Sequence, residues 1–391
     1  MRALDQANMV SRSIVVLQVL PALESGGVER GTLEVGRYLV EHRHRSLVMS
    51  AGGRLVEQLT REGSRHFCWP IGQKSLRTLG LVRKLRRFLV EQQVDILHVR
   101  SRFPAWVGYL AWKGMNPATR PHLVSTFHGF YSVNRYSAIM TKAEHIIAVS
   151  DCIADHVVDA YRPLATVTTI HRGIDPGEYS GGFRPGDPWL SRWAEQYPHL
   201  QGKLLVTLPG RITRLKGHND FIEVIDRLKA MVPEVHGLIV GGYEPRRMKY
   251  FAELEEAIRG RGLASDITFT GNRGDLKEIM SISALVLSLS SQPESFGRTV
   301  LEALALGVPV VAYDHGGAGE ILGAMLPAGL VGLKDLPRLI DVSTRFLRQA
   351  PAIGDLPEKF MLETMLSGTL DVYCNLLGEP CPRQAVSSRV G

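Results

Sequence analysis

With 391 residues, the chain is too long for one comfortable hydrophobic core and suits two domains. Its 45% hydrophobic and 22% charged residues are those of a soluble globular enzyme, which excludes a disordered chain, and no apolar run reaches the roughly 18 residues of a membrane span. The formal charge of +7 points to an anionic partner such as a nucleotide, a nucleic acid or an acidic membrane surface.

The first apolar run, Ile14 to Leu23, follows Arg12 and has the length of a signal h-region. It ends in Glu24-Ser25-Gly26-Gly27 with no small-x-small cleavage site, so it reads as a buried first strand. Further β-branched runs follow at 46–50, 94–99, 122–127, 145–150 and 166–171. Segments with helical spacing, such as 28–42 and 76–92, lie between them. The stretch 175–202, rich in proline and glycine, breaks the rhythm and carries one short helix near 189–197. Alternation resumes with runs at 203–209, 235–241, 266–271, 284–289 and 308–313, and helical patterns at 336–349 and 357–377 close the chain.

The expected fold class is therefore α/β, with two Rossmann-like doubly wound parallel-sheet domains facing a cleft. Residues 1–185 form the first domain and 186–355 the second; 356–391 form a final helix packing back toward the first domain, with a frayed tail. The four cysteines, at 68, 152, 374 and 381, show no metal-ligand or disulfide spacing. A reducing, cytoplasmic setting follows.

Charged and glycine-rich turns at strand ends are where chemistry would sit. Gly26 and Gly27, after the first strand, let a backbone approach a ligand closely, or simply make a tight turn. The segment KSLRTLGLVRKLRRFLV, 74–90, holds six cations and no acid. Val82, Leu85 and Leu89 make its inward stripe, leaving Arg83, Lys84, Arg86 and Arg87 outward. That face is either solvated or docks on anionic lipid. His128, in STFHGFY, ends a strand as a catalyst or a structural hydrogen-bonder, and His171, Arg172 and Asp175 share a similar turn. Arg211 and Lys216, in LPGRITRLKGHNDFIE, are two cations at a strand end and helix opening, a pairing that suits a diphosphate or a plain basic turn.

The segment SQPESFGRTVLEALALG, 291–307, sets Glu294 and Glu302 around a helix start near Arg298. The amides of Phe296 and Gly297 would lie at the positive end of that helix and attract phosphate. Glu302 could accept two ribose hydroxyls, and Glu294 would reach the other end of the same ligand.

These motifs resemble the retaining GT-B glycosyltransferases of family 4, in the bacterial cell-surface polysaccharide and lipopolysaccharide core type. ESFGRTVLEALALGVPVVAYDHGGAGEIL (294–322) is similar to that family's donor-site motif and GRITRLKG (210–217) to its diphosphate site. GGVER, HG, IAVSD and RGID match further landmarks in order, so the resemblance runs from about Ile14 to Leu377.

The resemblance implies transfer of a sugar from a nucleotide-diphosphate sugar to a hydroxyl of a glycan or lipid-linked acceptor, with the anomeric configuration kept. It assigns Arg211 and Lys216 to the leaving diphosphate and Glu302 to the ribose. Glu294 with Phe296, Gly297 and Arg298 would hold the sugar and phosphate. His128 would orient the sugar, with Gly26 and Gly27 near the phosphates. No cofactor and no metal are expected, in line with the missing Asp-x-Asp site, and no nucleic acid is an expected partner. The leaving phosphate would act as base, in preference to Glu294 as a covalent nucleophile. Residues 74–90 would add a peripheral contact on the inner face of the cytoplasmic membrane.

Two positions depart from the family pattern. Arg172-Gly173 stands where Asn-Gly is usual, and LPAGLVGLKD blurs the turn beyond Leu322. The competing readings are a nucleotide-sugar epimerase of the same architecture and a non-catalytic nucleotide-sugar binding protein.

Overall fold

The computed structural model describes residues 12–379, apart from 25, 74, 76, 77, 79, 245 and 246. The chain divides into two compact units, Met1–His171 with Glu363–Gly391, and Arg172–Leu362.

The first unit holds β1 (Val15–Val19), β2 (Arg45–Ser50), β3 (Arg65–Cys68), β4 (Ile96–Val99), β5 (His122–Phe127), β6 (His145–Ala148) and β7 (Thr166–Thr169). They form one parallel sheet in the order β3-β2-β1-β4-β5-β6-β7. β1 is buried along its whole length, as a parallel strand covered on both faces must be. Leu17, Val19, Leu97, Phe127 and Ile146 belong to the core that the helices close.

The last helix, Leu362–Leu377, supplies this unit with a buried polar contact. Tyr373 Oη lies 2.6 Å from His98 Nδ1, and His98 Nε2 lies 2.6 Å from Thr126 Oγ1. Thus a histidine in the middle of a buried strand has both ring nitrogens satisfied, which its burial requires. Nearby, fully buried Arg100 donates to Gln18.

The second unit holds β8 (Leu204–Pro209), β9 (Val235–Val240), β10 (Ile267–Gly271), β11 (Leu285–Ser288), β12 (Val310–Tyr313) and β13 (Leu330–Val331). Their order is β10-β9-β8-β11-β12-β13, again all parallel. Val206, Phe221, Ile225, Leu287 and Val311 are among its core residues.

Three expectations change. The division falls after His171, not at 185, because Ile174 pairs with Met361: its amide donates to the Phe360 carbonyl at 3.0 Å, and its carbonyl accepts from the Leu362 amide at 2.8 Å. Ile174 and Tyr179 are then buried in the second core. The pattern of apolar runs leaves out two strands, β3 and β13. Each lies at a sheet edge, and β13 is only two residues long.

The third change concerns the basic segment, of which Lys74 and Arg77 lie outside the described residues. Its helix spans Leu81–Glu91 and buries Leu85, Phe88 and Leu89, with Val82 only half-buried. Arg83, Lys84 and Arg87 are exposed, but Arg86 turns inward, and its Nε donates to the Ala111 carbonyl at 3.3 Å. It thereby satisfies a carbonyl near the end of the helix Arg102–Lys113, a favourable place for a cation. The expected frayed tail and Cys381 lie outside the described residues. Among the described residues, no helix is long and apolar enough to cross a membrane.

Substituting Tyr373→Phe keeps the ring and removes only the hydroxyl that His98 meets. A buried nitrogen left unpaired costs about 1–3 kcal/mol, which a urea titration of the variant against wild type will show as a lower midpoint.

Candidate functional site

In the second unit, the strand order reverses between β8 and β11, which lie side by side. Loops leaving their carboxyl ends diverge, and ligands of doubly wound sheets settle in the opening. β8 hands over to Gly210-Arg211 and a 3-10 turn, Arg214–Lys216, before the helix His218–Met231. β11 hands over to 289–297 before the helix Arg298–Ala305. The two loops are laced together by the Ser291 amide, which donates to the Leu215 carbonyl at 2.8 Å.

Across that opening, Lys216 Nζ lies 2.6 Å from Glu294 Oε1, with the side chains 32% and 19% exposed. The same Oε1 accepts the Ser290 hydroxyl, and the Ser290 carbonyl lies 2.7 Å from His315 Nε2. The main chain of Glu294 is held as well. It bridges to Gly316, and its carbonyl accepts the Gly317 amide at 2.8 Å.

Burial pushes the Glu294 carboxyl up, but the Lys216 ammonium and its hydrogen bond, the Ser290 hydroxyl and His315 outweigh that and hold it below the usual carboxylate range. It is therefore an anion at neutral pH. Beside the pair, burial drives the His218 imidazole down to about 4, against its bond to the Thr213 carbonyl and with Lys216 adding to the depression. His218 is consequently neutral and adds no charge.

The helix start is shaped by Gly297, whose φ of 86° is left-handed. A Cβ there would also press on the Ala318 backbone at 3.1 Å, so glycine meets both constraints. Among the described residues, neither the Phe296 amide nor the Gly297 amide donates to a protein acceptor. Both remain available to an anion at the positive end of the helix. The Phe296 ring itself is core, edge-on to Phe360 at 6.0 Å.

Glu302 lies one turn in, its side chain 7% exposed, and its Oε1 accepts Arg298 Nε at 2.9 Å. The structure thus brings Lys216, Glu294, Phe296, Gly297, Arg298 and Glu302 to one strand-end region. The Arg211 side chain is 81% exposed and lies 3.8 Å from Glu244.

In the first unit, the strand order reverses between β1 and β4. Gly26, after β1, has φ 144° and opens the helix Gly27–Glu41. Glu29 closes over it, and a Cβ on Gly26 would lie 2.7 Å from Glu29 Oε2, whereas Gly27 faces open space. His128 follows β5 directly and is half-buried.

Ser290 and His315 were not singled out from the sequence. His315 lies in the quoted DHGG turn after β12, so the signal was present there, but a serine two residues past a strand has no pattern to mark it.

Residues 25–178 match the family model described as Glycosyltransferase Family 4, and residues 191–332 the one described as Glycosyl transferases group 1. The lipopolysaccharide core biosynthesis mannosyltransferase LpsB of Rhizobium meliloti is 31% identical over 220 residues; the match takes in 55% of this chain and 59% of that protein's length. Among solved structures, a glycosyltransferase from Rickettsia africae aligns with a TM-score of 0.79 at 28% identity, over 94% of this chain and 100% of that one. Anabaena Alr3699/HepE, in complex with UDP and glucose, shares the fold with a TM-score of 0.76 at 21% identity, over 93% of this chain and 100% of that one.

Removing the Lys216 ammonium isolates the Glu294 carboxylate. Lys216→Met is expected to lose about 1–3 kcal/mol at pH 7, at the low end because both side chains keep some solvent. Since the folded-state carboxyl is depressed, the pair stabilises above the ordinary carboxylate pKa and fades as pH falls through the folded value. The gap in unfolding midpoint between variant and wild type should therefore shrink from pH 7 to pH 4. A gap independent of pH would contradict the pairing.

Proposed function

The chain belongs to the family 4 glycosyltransferases of GT-B fold, and on that premise we propose that it moves a sugar from a nucleoside diphosphate to a hydroxyl of a glycan or glycolipid, with the anomeric configuration retained. The observation that carries this reading is the Lys216–Glu294 pair beside the helix start at Gly297, at the point where the second sheet reverses its strand order.

In the proposed reaction, the bond from the anomeric carbon to the diphosphate oxygen breaks, and a bond to the acceptor oxygen forms. The acceptor proton passes to the released diphosphate, which leaves as the other product. Charge accumulates on that leaving group. Lys216, Arg211 and the amides of Phe296 and Gly297 meet it, and such preorganised groups each supply about 2.7–4 kcal/mol in a water-poor site. With cations of the chain in that role, the reading calls for no metal.

Glu294, kept ionised by Lys216, accepts hydrogen bonds from sugar hydroxyls. Glu302 takes the ribose hydroxyls, and Arg298 keeps its carboxylate oriented. On the first unit, Gly26, Gly27 and His128 are the proposed contributors to donor binding. The UDP and glucose held by Alr3699/HepE favour a nucleoside-diphosphate sugar as donor, and the activity in the name of LpsB favours an acceptor of the cell envelope. A hexosyl donor, work on the cytoplasmic side and a peripheral contact through Arg83, Lys84 and Arg87 complete the proposal.

The test is to screen UDP-, GDP- and ADP-sugars for a rise in unfolding midpoint, then to analyse products with the stabilising donor. Lys216→Ala and Glu294→Ala are each expected to lower turnover by about a hundredfold to a thousandfold. Chelation by EDTA should leave the wild-type rate unchanged. Undiminished transfer in both variants would refute the assignment.

A further inference from the structure

The first unit carries a second concentration of unassigned chemistry, on the loop after β5. Residues 129–136, GFYSVNRY, leave the carboxyl end of that strand directly behind His128. Beside them, Arg102 opens the helix Arg102–Lys113 that follows β4, the strand paired with β5.

The loop is tied down along its length. The Tyr161 hydroxyl, on the helix Asp151–Tyr161, lies 3.0 Å from the carbonyls of both Tyr131 and Ser132. His156 Nε2 lies 3.1 Å from the Tyr131 carbonyl. Trp106 Nε1 donates to the Tyr136 carbonyl at 3.0 Å, and Asn134 Oδ1 accepts the Ser137 amide at 2.9 Å. What remains exposed is the tip, Ser132 to Arg135, including Val133 at 59%.

Two cations belong to this loop region. The Arg102 guanidinium lies 4.6 Å from the Tyr131 ring centroid and 5.5 Å from that of Tyr136, and its Nη1 donates to Ser137 Oγ at 3.3 Å. The rings shelter its charge without cancelling it. Arg135 is exposed at the tip. Among the described residues, neither arginine forms an ion pair with a carboxylate. Two guanidinium groups without a carboxylate partner, one on this rigid loop and one at the start of the helix packed against it, lie at strand ends of a doubly wound sheet and suit a carboxylate or phosphate, for which the planar fork of arginine is matched. Because the loop is already ordered, binding there forfeits little conformational freedom.

We propose that residues 129–136 together with Arg102 form the acceptor subsite, and that the acceptor is an anionic saccharide carrying a carboxylate or phosphate group. Arg102 and Arg135 bind the anion, and Val133 offers an apolar contact to the C–H face of the sugar ring. This rests on the transfer reaction proposed above for the saccharide, while the anionic group follows from the arginines alone.

The test titrates the full-length chain by calorimetry with methyl α-glucuronide, glucose 6-phosphate, methyl α-glucoside and inorganic phosphate. The uronide and the sugar phosphate should each bind about tenfold or more tighter than the neutral glucoside, as charge-assisted hydrogen bonds require. Comparison of the two separates a carboxylate-bearing from a phosphate-bearing acceptor. Arg135→Gln, at an exposed position that leaves folding alone, should erase most of that preference while UDP affinity stays at the wild-type value. Arg102→Gln, checked for folding by its thermal transition, should do the same.

Equal binding of neutral and anionic glycosides, or a preference unchanged in Arg135→Gln, overturns the proposal. So does inorganic phosphate binding as tightly as the sugar phosphate, since the saccharide would then contribute nothing. A parallel loss of UDP affinity in Arg135→Gln would move the arginine to the donor site and also overturn it. Failure of wild type to bind any nucleoside diphosphate counts against the transfer reaction, and the glycoside comparison still decides the anion subsite.

Discussion

A parallel strand buried on both faces has no room along its length for groups that need water or a ligand. Everything polar must either be satisfied inside the sheet or be carried past its carboxyl end. This constraint arranges both units. His98 and Gln18 take the first course, the one bonded to Thr126 and Tyr373, the other accepting from Arg100. Lys216, Glu294, His128 and Arg135 take the second, each on a loop that leaves a strand end. Candidate-site and structural polarity are therefore told apart by position along a strand, not by residue type.

The loops themselves would be poor scaffolds if they were free. Around Glu294 the opposite holds, because its side chain is fixed by Lys216 and Ser290 and its main chain by Gly316 and Gly317. The carboxylate is thereby kept charged in a place where burial alone would neutralise it. The ammonium is the same group that the proposed reaction assigns to the diphosphate. Under that proposal an arriving diphosphate would share the Lys216 ammonium with Glu294, and until then the pair holds the two loops together without a bound nucleotide.

Much of this was legible from residues alone because the information is local. Alternating β-branched runs marked the inner strands, and SFG before a helical run marked the helix start at Gly297. Lys216 and Glu294 were each readable as charges in glycine-bearing turns. Their pairing was not, since it joins two loops whose meeting depends on β8 lying next to β11. The same reason hid the unit boundary, where Ile174 is claimed by Met361 from the far end of the unit. β3 escaped for want of burial and β13 for want of length, since edge strands need neither continuous apolar runs nor many residues. Arg86 looked like its outward neighbours in a helical projection, and only the nearby end of another helix explains why it turns in.

One consequence concerns the order in which the protein is made. The first unit is interrupted: its final helix is encoded after the whole of the second unit. Tyr373 and His98 are 275 positions apart. At a ribosomal pace of about 5–20 residues per second, His98 waits on the order of tens of seconds for the hydroxyl that completes its surroundings. Until then, the nascent first unit lacks the helix in which Met365, Leu366 and Leu370 are buried. The second unit, continuous in sequence, can mature in the meantime. The helix Leu362–Leu377 therefore acts as the closing stitch of the first unit, and a ribosome that stops short of it releases a chain with one finished half and one open half.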